Sequence, residues 1–218
     1  MAEDDRERTG WVDALADLVA VERLVGLLAR IDTVDASAAA QIRARLDDRA
    51  QPLAEDEAIV MLVDIVDSTR WTLELGSVEF RRRARTVERH LRGAIVAAGG
   101  RLGEGVNLGD GVVAEFPSAD AAFLAARDMH TRMLGDDLEV RTGVHTGEVA
   151  REGNVISGTA INVAARTSDA ASPGGAMISA ATRRSLSASH QALTIDEGGF
   201  VMKGLAEPMQ LYSVVMAD

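Results

Sequence analysis

The sequence predicts an α+β fold, a ferredoxin-like sandwich with a short helical N-terminal extension. Three observations predict it. From residue 58 onward, strand-like and helix-like stretches follow in the order β-α-ββ-α-β-…-α-β. The first, Ala58–Val66 (AIVMLVDIV), is short, nearly all apolar and β-branched, as suits a strand buried on both faces. A tight turn, Asn107-Leu108-Gly109-Asp110, joins the next two strand signals, so the sheet is mixed and mainly antiparallel rather than doubly wound.

Taken in order, residues 1–56 read as the extension and its linker, and 57–218 as the main domain. Trp11, Leu15, Leu18, Val19, Leu24, Leu27, Leu28 and Ile31 recur at helical spacing. A second short helix is predicted over Ala36 to Leu46, with Asp35 or Ser37 as its cap. Pro52 and Glu55-Asp56-Glu57 read as linker. Two such helices cannot bury their own apolar stripe, so they cover the main domain or form a dimerising or regulatory hairpin. In the main domain, Ser77 to Ala98 is a long helix ended by Gly99-Gly100. Arg101–Val106 and Gly111–Phe116 are strands. Ser118 caps an Ala-rich helix running to Leu134, and Leu138–His145 is the next strand. Thr159 to Ala171 is a helix, and Ala176–Ser179 a strand. A short helix and three short strands near Ala192–Ile195, Gly199–Met202 and Met209–Val214 complete the chain.

Composition narrows the function. The 218 residues are 47% hydrophobic and 26% charged, which fits one globular domain with a small appendage. A net charge of −11 and a pI near 4.8 argue against a nucleic-acid partner, whose phosphates want a basic face. Acid is concentrated at the start, where residues 1–57 carry 14 acidic and 7 basic side chains. The absence of cysteine excludes disulfides, thiolate zinc sites and Cys nucleophiles. No apolar run approaches the ~20 residues that span a bilayer, and MAEDDRER is not a signal peptide, so a cytoplasmic protein without a membrane partner is expected. Of the 23 basic residues, 22 are Arg, and Lys203 is the single Lys.

Several residues stand out chemically. Asp64 sits inside an apolar strand, where an ionised carboxylate is costly unless paired or bound to metal. Asp110 lies at the tip of the turn, and a hairpin beside the first strand would bring both acids to one sheet edge. Two hard oxygen ligands suit Mg²⁺ or Mn²⁺, although Gly-Asp-Gly is also ordinary turn chemistry. Ser68 and Thr69 can cap a helix whose free N–H groups would suit a triphosphate. Asn162 and Arg166, i and i+4 on a helix, share a face and suit a pentavalent phosphoryl transition state, or simply form an exposed polar face. Lys203, in Met202-Lys203-Gly204-Leu205, can act as a point charge on a terminal phosphate or be a solvated surface Lys. GxGxxG and GxxxxGK are both absent, so Rossmann and P-loop readings fail. His145 has no partner base at ligand spacing and reads as structural. The cluster Arg81-Arg82-Arg83-Arg85 reads as the solvated face of a long helix.

Together and in this order, VDIVDST (63–69), NLGDGVVAEFPS (107–118), RTGVHTGEV (141–149), SGTAINVAART (157–167) and MKGLAEPMQLY (202–212) resemble the class III nucleotidyl cyclase homology domain. The resemblance covers roughly residues 57–216. It implies that Asp64 and Asp110 hold two Mg²⁺ or Mn²⁺ ions, with the Ile65 backbone carbonyl assisting. It implies that Asn162 and Arg166 stabilise the transition state and that Lys203 binds the triphosphate. It further implies a head-to-tail homodimer with two interface sites, one protomer giving the Asp pair and the other Asn, Arg and Lys. The base-reading positions depart from the pattern. Val106 stands where adenylate cyclases have Lys, and Val155, beside Asn154, where they have Asp or Thr. The Glu and Cys usual in guanylate cyclases are absent too. Some bacterial members that resemble this pattern make cyclic CMP or cyclic UMP in defence against phage, with a separate effector protein. The expected activity is therefore cyclisation of a nucleoside triphosphate, UTP ahead of CTP, to the 3′,5′-cyclic monophosphate and pyrophosphate. The rivals are an adenylate cyclase with unusual base contacts, a catalytically silent binding module, and a phosphohydrolase using Asp64 and Asp67, which leaves Asn162, Arg166 and Lys203 without a role.

Overall fold

The computed structural model describes residues 56–103, 111–133, 138–152, 155–205 and 207–216. The predicted N-terminal helices and the turn at 107–110 lie outside the described residues. In chain order the elements are β1 (Glu57–Ile65), α1 (Ser68–Leu75), α2 (Ser77–Ala97), β2 (Arg101–Leu102), β3 (Val112–Phe116), α3 (Ala119–Arg132) and β4 (Val140–Glu148). There follow β5 (Ala150–Glu152), β6 (Val155–Ser157), α4 (Thr159–Asp169), β7 (Ala176–Ser179), α5 (Ala180–Arg184), α6 (Ala188–Gln191), β8 (Thr194–Phe200) and β9 (Met209–Val214).

The large sheet has the order β2-β3-β1-β4-β7-β9-β8. Its first four strands are antiparallel throughout and stand in the 2-3-1-4 order of a ferredoxin-like βαββαβ unit. β7 then joins β4 in parallel. β1 lies in the interior of the sheet because both of its faces are apolar. Ile59, Met61, Val63 and Ile65 pack with Val87, Leu91 and Ile95 of α2 and with Phe123 and Met129 of α3. Ala58, Val60 and Leu62 point the other way, to Ala160, Ile161 and Ala164 of α4. Side chains alternate along a strand, so Asp64 belongs to the α4 face.

The predicted elements recur with four differences. The strands expected near 192–195 and 199–202 are one strand, β8, bent by a bulge between Asp196 and Gly198. Gly198, at φ 86°, takes the backbone shape the bulge needs. β4 runs past His145 to Glu148 because it pairs with the whole length of β1. The hairpin β5–β6 was not foreseen, its strands being three residues each. The one short helix expected after β7 is two, α5 and α6, while α1, whose start was expected at Ser68 and Thr69, is parted from α2 by Gly76 at φ 78°. Ser118 caps α3 as expected, its Oγ accepting from the Ala121 N–H at 3.1 Å.

Candidate functional site

Asp64 stands half-buried at the C-terminal end of β1, directly across from Arg141 of β4. Opposite charges in that relation stabilise a sheet by about 0.2–1 kcal/mol. Arg141 was not singled out in the sequence. The signal that could have found it is the pairing of VDIVDST with RTGVHTGEV, which needs the register. Its Nε is buried without a hydrogen-bond partner, while Nη1 reaches the Asp169 carbonyl at 3.4 Å. A guanidinium held this way beside a carboxylate keeps donors available for an anion. Ile65 closes β1 with its side chain in the core.

The turn out of β1 departs from expectation. Ser68 and Thr69 were expected to cap α1, but Asp67 occupies the cap, at φ 53°, and makes no side-chain cap bond. The Val66 N–H is held by the Glu139 carbonyl at 2.9 Å, so the chain must reverse at the next residue. Asp tolerates the left-handed region that this demands. Ser68 and Thr69 are thus the first two helical residues, and the Ser68 carbonyl accepts from Thr72 Oγ1 at 2.8 Å.

α4 lies against the sheet more closely than a side chain would allow. A Cβ on Gly143 would sit 2.2 Å from the Ser168 nitrogen and 2.3 Å from the Ala164 oxygen. The helix buries Ala160, Ile161, Val163, Ala164, Thr167 and Ser168. At 3.6 residues per turn, Asn162, Arg166 and Asp169 then fall on the far side, and all three are exposed. Arg166 Nη1 pairs with Asp169 Oδ2 at 3.0 Å. Pairs this exposed are worth little, so an incoming phosphate could take the arginine over at small cost.

Lys203 is exposed at the tip of the turn between β8 and β9. The Leu205 N–H bonds the Met202 carbonyl at 3.1 Å, and Gly204 has the positive φ, 90°, that the third position of a type II turn demands. Buried Met202 anchors the turn in a cluster with Met177 and Leu211. Beside it, a cleft of about 440 Å³ is lined by Ser179, Arg184, Leu205 and Glu207 among others. The strand registers fix where this turn lies. It emerges beyond Phe200 and Met209, about six residues along the strands from Asp64, on the order of 20 Å. Val155, in β6, lies past the far end of β4, again away from Asp64. Asp110, Val106 and Asn154 lie outside the described residues.

Within one chain, then, Asp64 and Arg141 stand at one end of the sheet. Lys203 and Val155 stand at the other, and Asn162 and Arg166 face outward from the helix between them. The donor set fits a hard cation only in part. Asp64 is a carboxylate of the right kind, but the described residues hold no cluster of three or more His, Asp or Glu able to bind a metal, and Asp110 would have to complete the site.

His145 is structural in form, as expected. Its Nδ1 is 2.8 Å from Ser179 Oγ, in a network with Thr182 and Thr146, and burial pushes its pKa down to about 4. His130, 3.1 Å from Thr142 Oγ1, is likewise held near 4 by burial. His190 bonds Asp120 and stacks on Phe123. Burial alone would raise the Asp120 carboxyl, but His190 and the Ser187 N–H and O–H outweigh it and hold it below the usual range.

Strand order and helix placement define the class of fold: that of the adenylyl and guanylyl cyclase catalytic domain. Among solved structures it is similar to an adenylate cyclase of Trypanosoma brucei in its monomeric state, with a TM-score of 0.66 and 20% identity over 77% of this chain and 92% of that one. It is similar to an adenylyl cyclase of P. aeruginosa, at TM-score 0.62 and 23% identity over 74% and 95%. The guanylate cyclase domain of a protein from Catenaria anguillulae, solved with GTP, gives 0.62 and 18% over 75% and 98%. No protein-family model matches the sequence, and no curated protein does. Among the described residues, no helix is long and apolar enough to cross a membrane.

Proposed function

We propose that the protein is a nucleotidyl cyclase. It converts a nucleoside triphosphate to its 3′,5′-cyclic monophosphate and pyrophosphate, at sites shared between two copies of the chain. The observation that carries this reading is the division of the candidate residues into two sets on one cyclase fold. Asp64 at one sheet end and Lys203 at the other are on the order of 20 Å apart along the strands, too far to grip one triphosphate. A second copy related by a two-fold axis supplies the missing half to each site.

In this site Asp64 and Asp110 would hold Mg²⁺ or Mn²⁺, which supplies positive charge for the 3′-oxygen and the leaving pyrophosphate. Arg166, released from Asp169, and Asn162 stabilise the charge that develops on the α-phosphoryl group. Lys203 holds the terminal phosphate, and Arg141 neutralises charge beside Asp64. The base favoured is a pyrimidine, UTP ahead of CTP, because Val106 and Val155 offer no hydrogen bond to a purine edge. The product would serve as a messenger, in the manner of phage-defence cyclases, read by a separate effector protein.

Two measurements test this. Asp64→Ala and Arg166→Ala homodimers are each expected to be nearly inactive, and mixing them to restore activity at one site per heterodimer. Failure to complement, with subunit exchange shown independently, would refute the shared site. The purified chain is then given ATP, GTP, CTP and UTP at equal subsaturating concentrations with Mg²⁺ or Mn²⁺. The highest kcat/KM on ATP would refute the pyrimidine assignment and leave an adenylate cyclase. No cyclic product from any of the four would refute the activity itself.

A further inference from the structure

α2 has two unlike faces. Toward the sheet it buries Val87, Leu91, Ala94 and Ile95. Away from it, Val78, Arg81, Arg85, Arg89, Arg92 and Val96 follow one another at spacings of three and four, and all are exposed. At ~100° per residue they fall within one stripe about 80° wide. Arg92 is bonded to Glu88 at 2.8 Å. Arg81, Arg85 and Arg89 hold no hydrogen bond or ion pair to any described residue. The valines at the stripe's two ends are exposed by 87% and 57%, so it is basic in the middle and apolar at both tips. The helix carries six Arg against two Glu, on a chain whose net charge is −11.

We propose that this stripe is the docking surface for the chain's own acidic N-terminal segment, residues 1–55. Charge favours it, since residues 1–57 carry 14 acidic against 7 basic side chains. The pattern favours it too. Asp13 and Asp17 are four residues apart, as are Arg81, Arg85 and Arg89, and four residues rise about 6 Å on a helix. Trp11, Leu15 and Leu18 in the same stretch need apolar cover, which Val78 and Val96 offer. The tether reaches. The Asp56 carbonyl accepts from the Val149 N–H at 2.7 Å, which pins the segment's end at the start of β1. α2 finishes at that same end of the sheet, where the turn at Gly100 closes against Phe116, the pairing partner of Ile59. Ten extended residues span about 33 Å, and α2, at 21 residues, is about 31 Å long. A tethered segment also meets the stripe at an effective concentration on the order of mM, above that of a free acidic partner. The inference does not depend on which nucleotide the protein uses.

The chain has no cysteine and two tryptophans, Trp11 and Trp71, which makes the test direct. Gly93 is exposed on α2 beside the stripe, and a Cβ there meets nothing within 4 Å. Gly93→Cys in a Trp71→Phe full-length chain is labelled with bimane, which tryptophan quenches on contact. Emission is expected to rise when Trp11→Phe is added. It is also expected to rise when Arg81, Arg85 and Arg89 are all changed to Glu, and in 1 M NaCl. Losing three exposed pairs should weaken docking about tenfold. The unlabelled thiol at position 93 should then react with a bulky disulfide reagent several-fold faster after the charge reversal. A response of either readout to charge reversal, with circular dichroism unchanged, supports the proposal. Both unchanged overturns it. Quenching of a labelled Trp11→Phe chain by excess unlabelled chain places the segment on a second copy and overturns the intramolecular reading.

Discussion

Gly143→Ala tests how the outward Asn–Arg pair is positioned. The added Cβ would lie 2.2 Å from the Ser168 nitrogen, 2.3 Å from the Ala164 oxygen and 2.8 Å from the Ser168 Cα. Ordinary contact begins near 3.4 Å, so α4 must rise from the sheet by roughly 1.2 Å. The obstructing atoms are backbone and cannot swing aside. The cost should therefore fall at the upper end of the overpacking range, about 3 kcal/mol. For a domain of this size that is a fall in Tm of about 6–12 °C. The same rise carries Asn162 and Arg166 outward by about 1 Å, a displacement that can cost about 10²-fold in kcat. Gly93→Ala is the control. It lies on the exposed side of α2 with nothing within 4 Å, and should stabilise the helix by about 0.5–1 kcal/mol. Thermal melts by circular dichroism and nucleotide turnover on the same samples give both numbers. A Gly143→Ala protein that melts within about 2 °C of wild type with unchanged turnover would show that α4 is not seated as described.

Three further outcomes are expected. Arg141→Met should cost at most about 1 kcal/mol in urea unfolding, because it removes one cross-strand pair, yet lower turnover far more than that; equal small losses in both would leave Arg141 a structural residue. Asp120→Asn weakens the bonds to His190 and Ser187 that join α3 to α6, and should lower the urea-unfolding free energy by about 2 kcal/mol; no change would mean that the contact is not made. His130 and His145 are both held near pKa 4, against about 6.5 unfolded. Below pH 6.5 the unfolded chain therefore takes up protons that the native one refuses, and stability falls with pH toward 4, by up to about 1.4 kcal/mol per unit for each. His130→Gln should remove roughly half of that slope between pH 6.5 and 5, where carboxylates do not yet titrate. Equilibrium unfolding at stepped pH reads it, and an unaltered slope would contradict the buried neutral histidine. Asp120 acts in a lower window, its contribution being lost only as pH falls below the ordinary carboxylate range.

Much of the fold was legible because its signals are local. AIVMLVDIV read as a strand covered on both sides, and β1 is an interior strand of the sheet. Ser118 announced its helix. What stayed hidden depends on contacts between distant segments. The length of β4 is set by its register with β1, not by its own residues. The cap at Asp67 follows from the Val66–Glu139 bond, which no local rule contains. Arg141 acquires interest only from facing Asp64. The i, i+4 spacing of Asn162 and Arg166 was plain, but their turning away from the sheet follows from Gly143, a glycine that in sequence looks like any other.

The sheet's two margins limit how molecules of this protein can meet. Among the described residues, the last strand on one side, β2, has two residues. On the other, β8 is kinked at Asp196–Gly198, where the Asp196 carboxylate takes the Gly198 N–H at 2.9 Å and Glu197 binds the Ser213 hydroxyl at 2.6 Å. A short margin and a kinked, acidic one both resist strand addition by a neighbour. Growth into ribbons or fibrils by sheet extension is thereby discouraged, and encounters are steered toward helix faces and loop ends. Crowded at high expression, such a chain is disposed to form closed, countable assemblies and to stay out of open-ended ones.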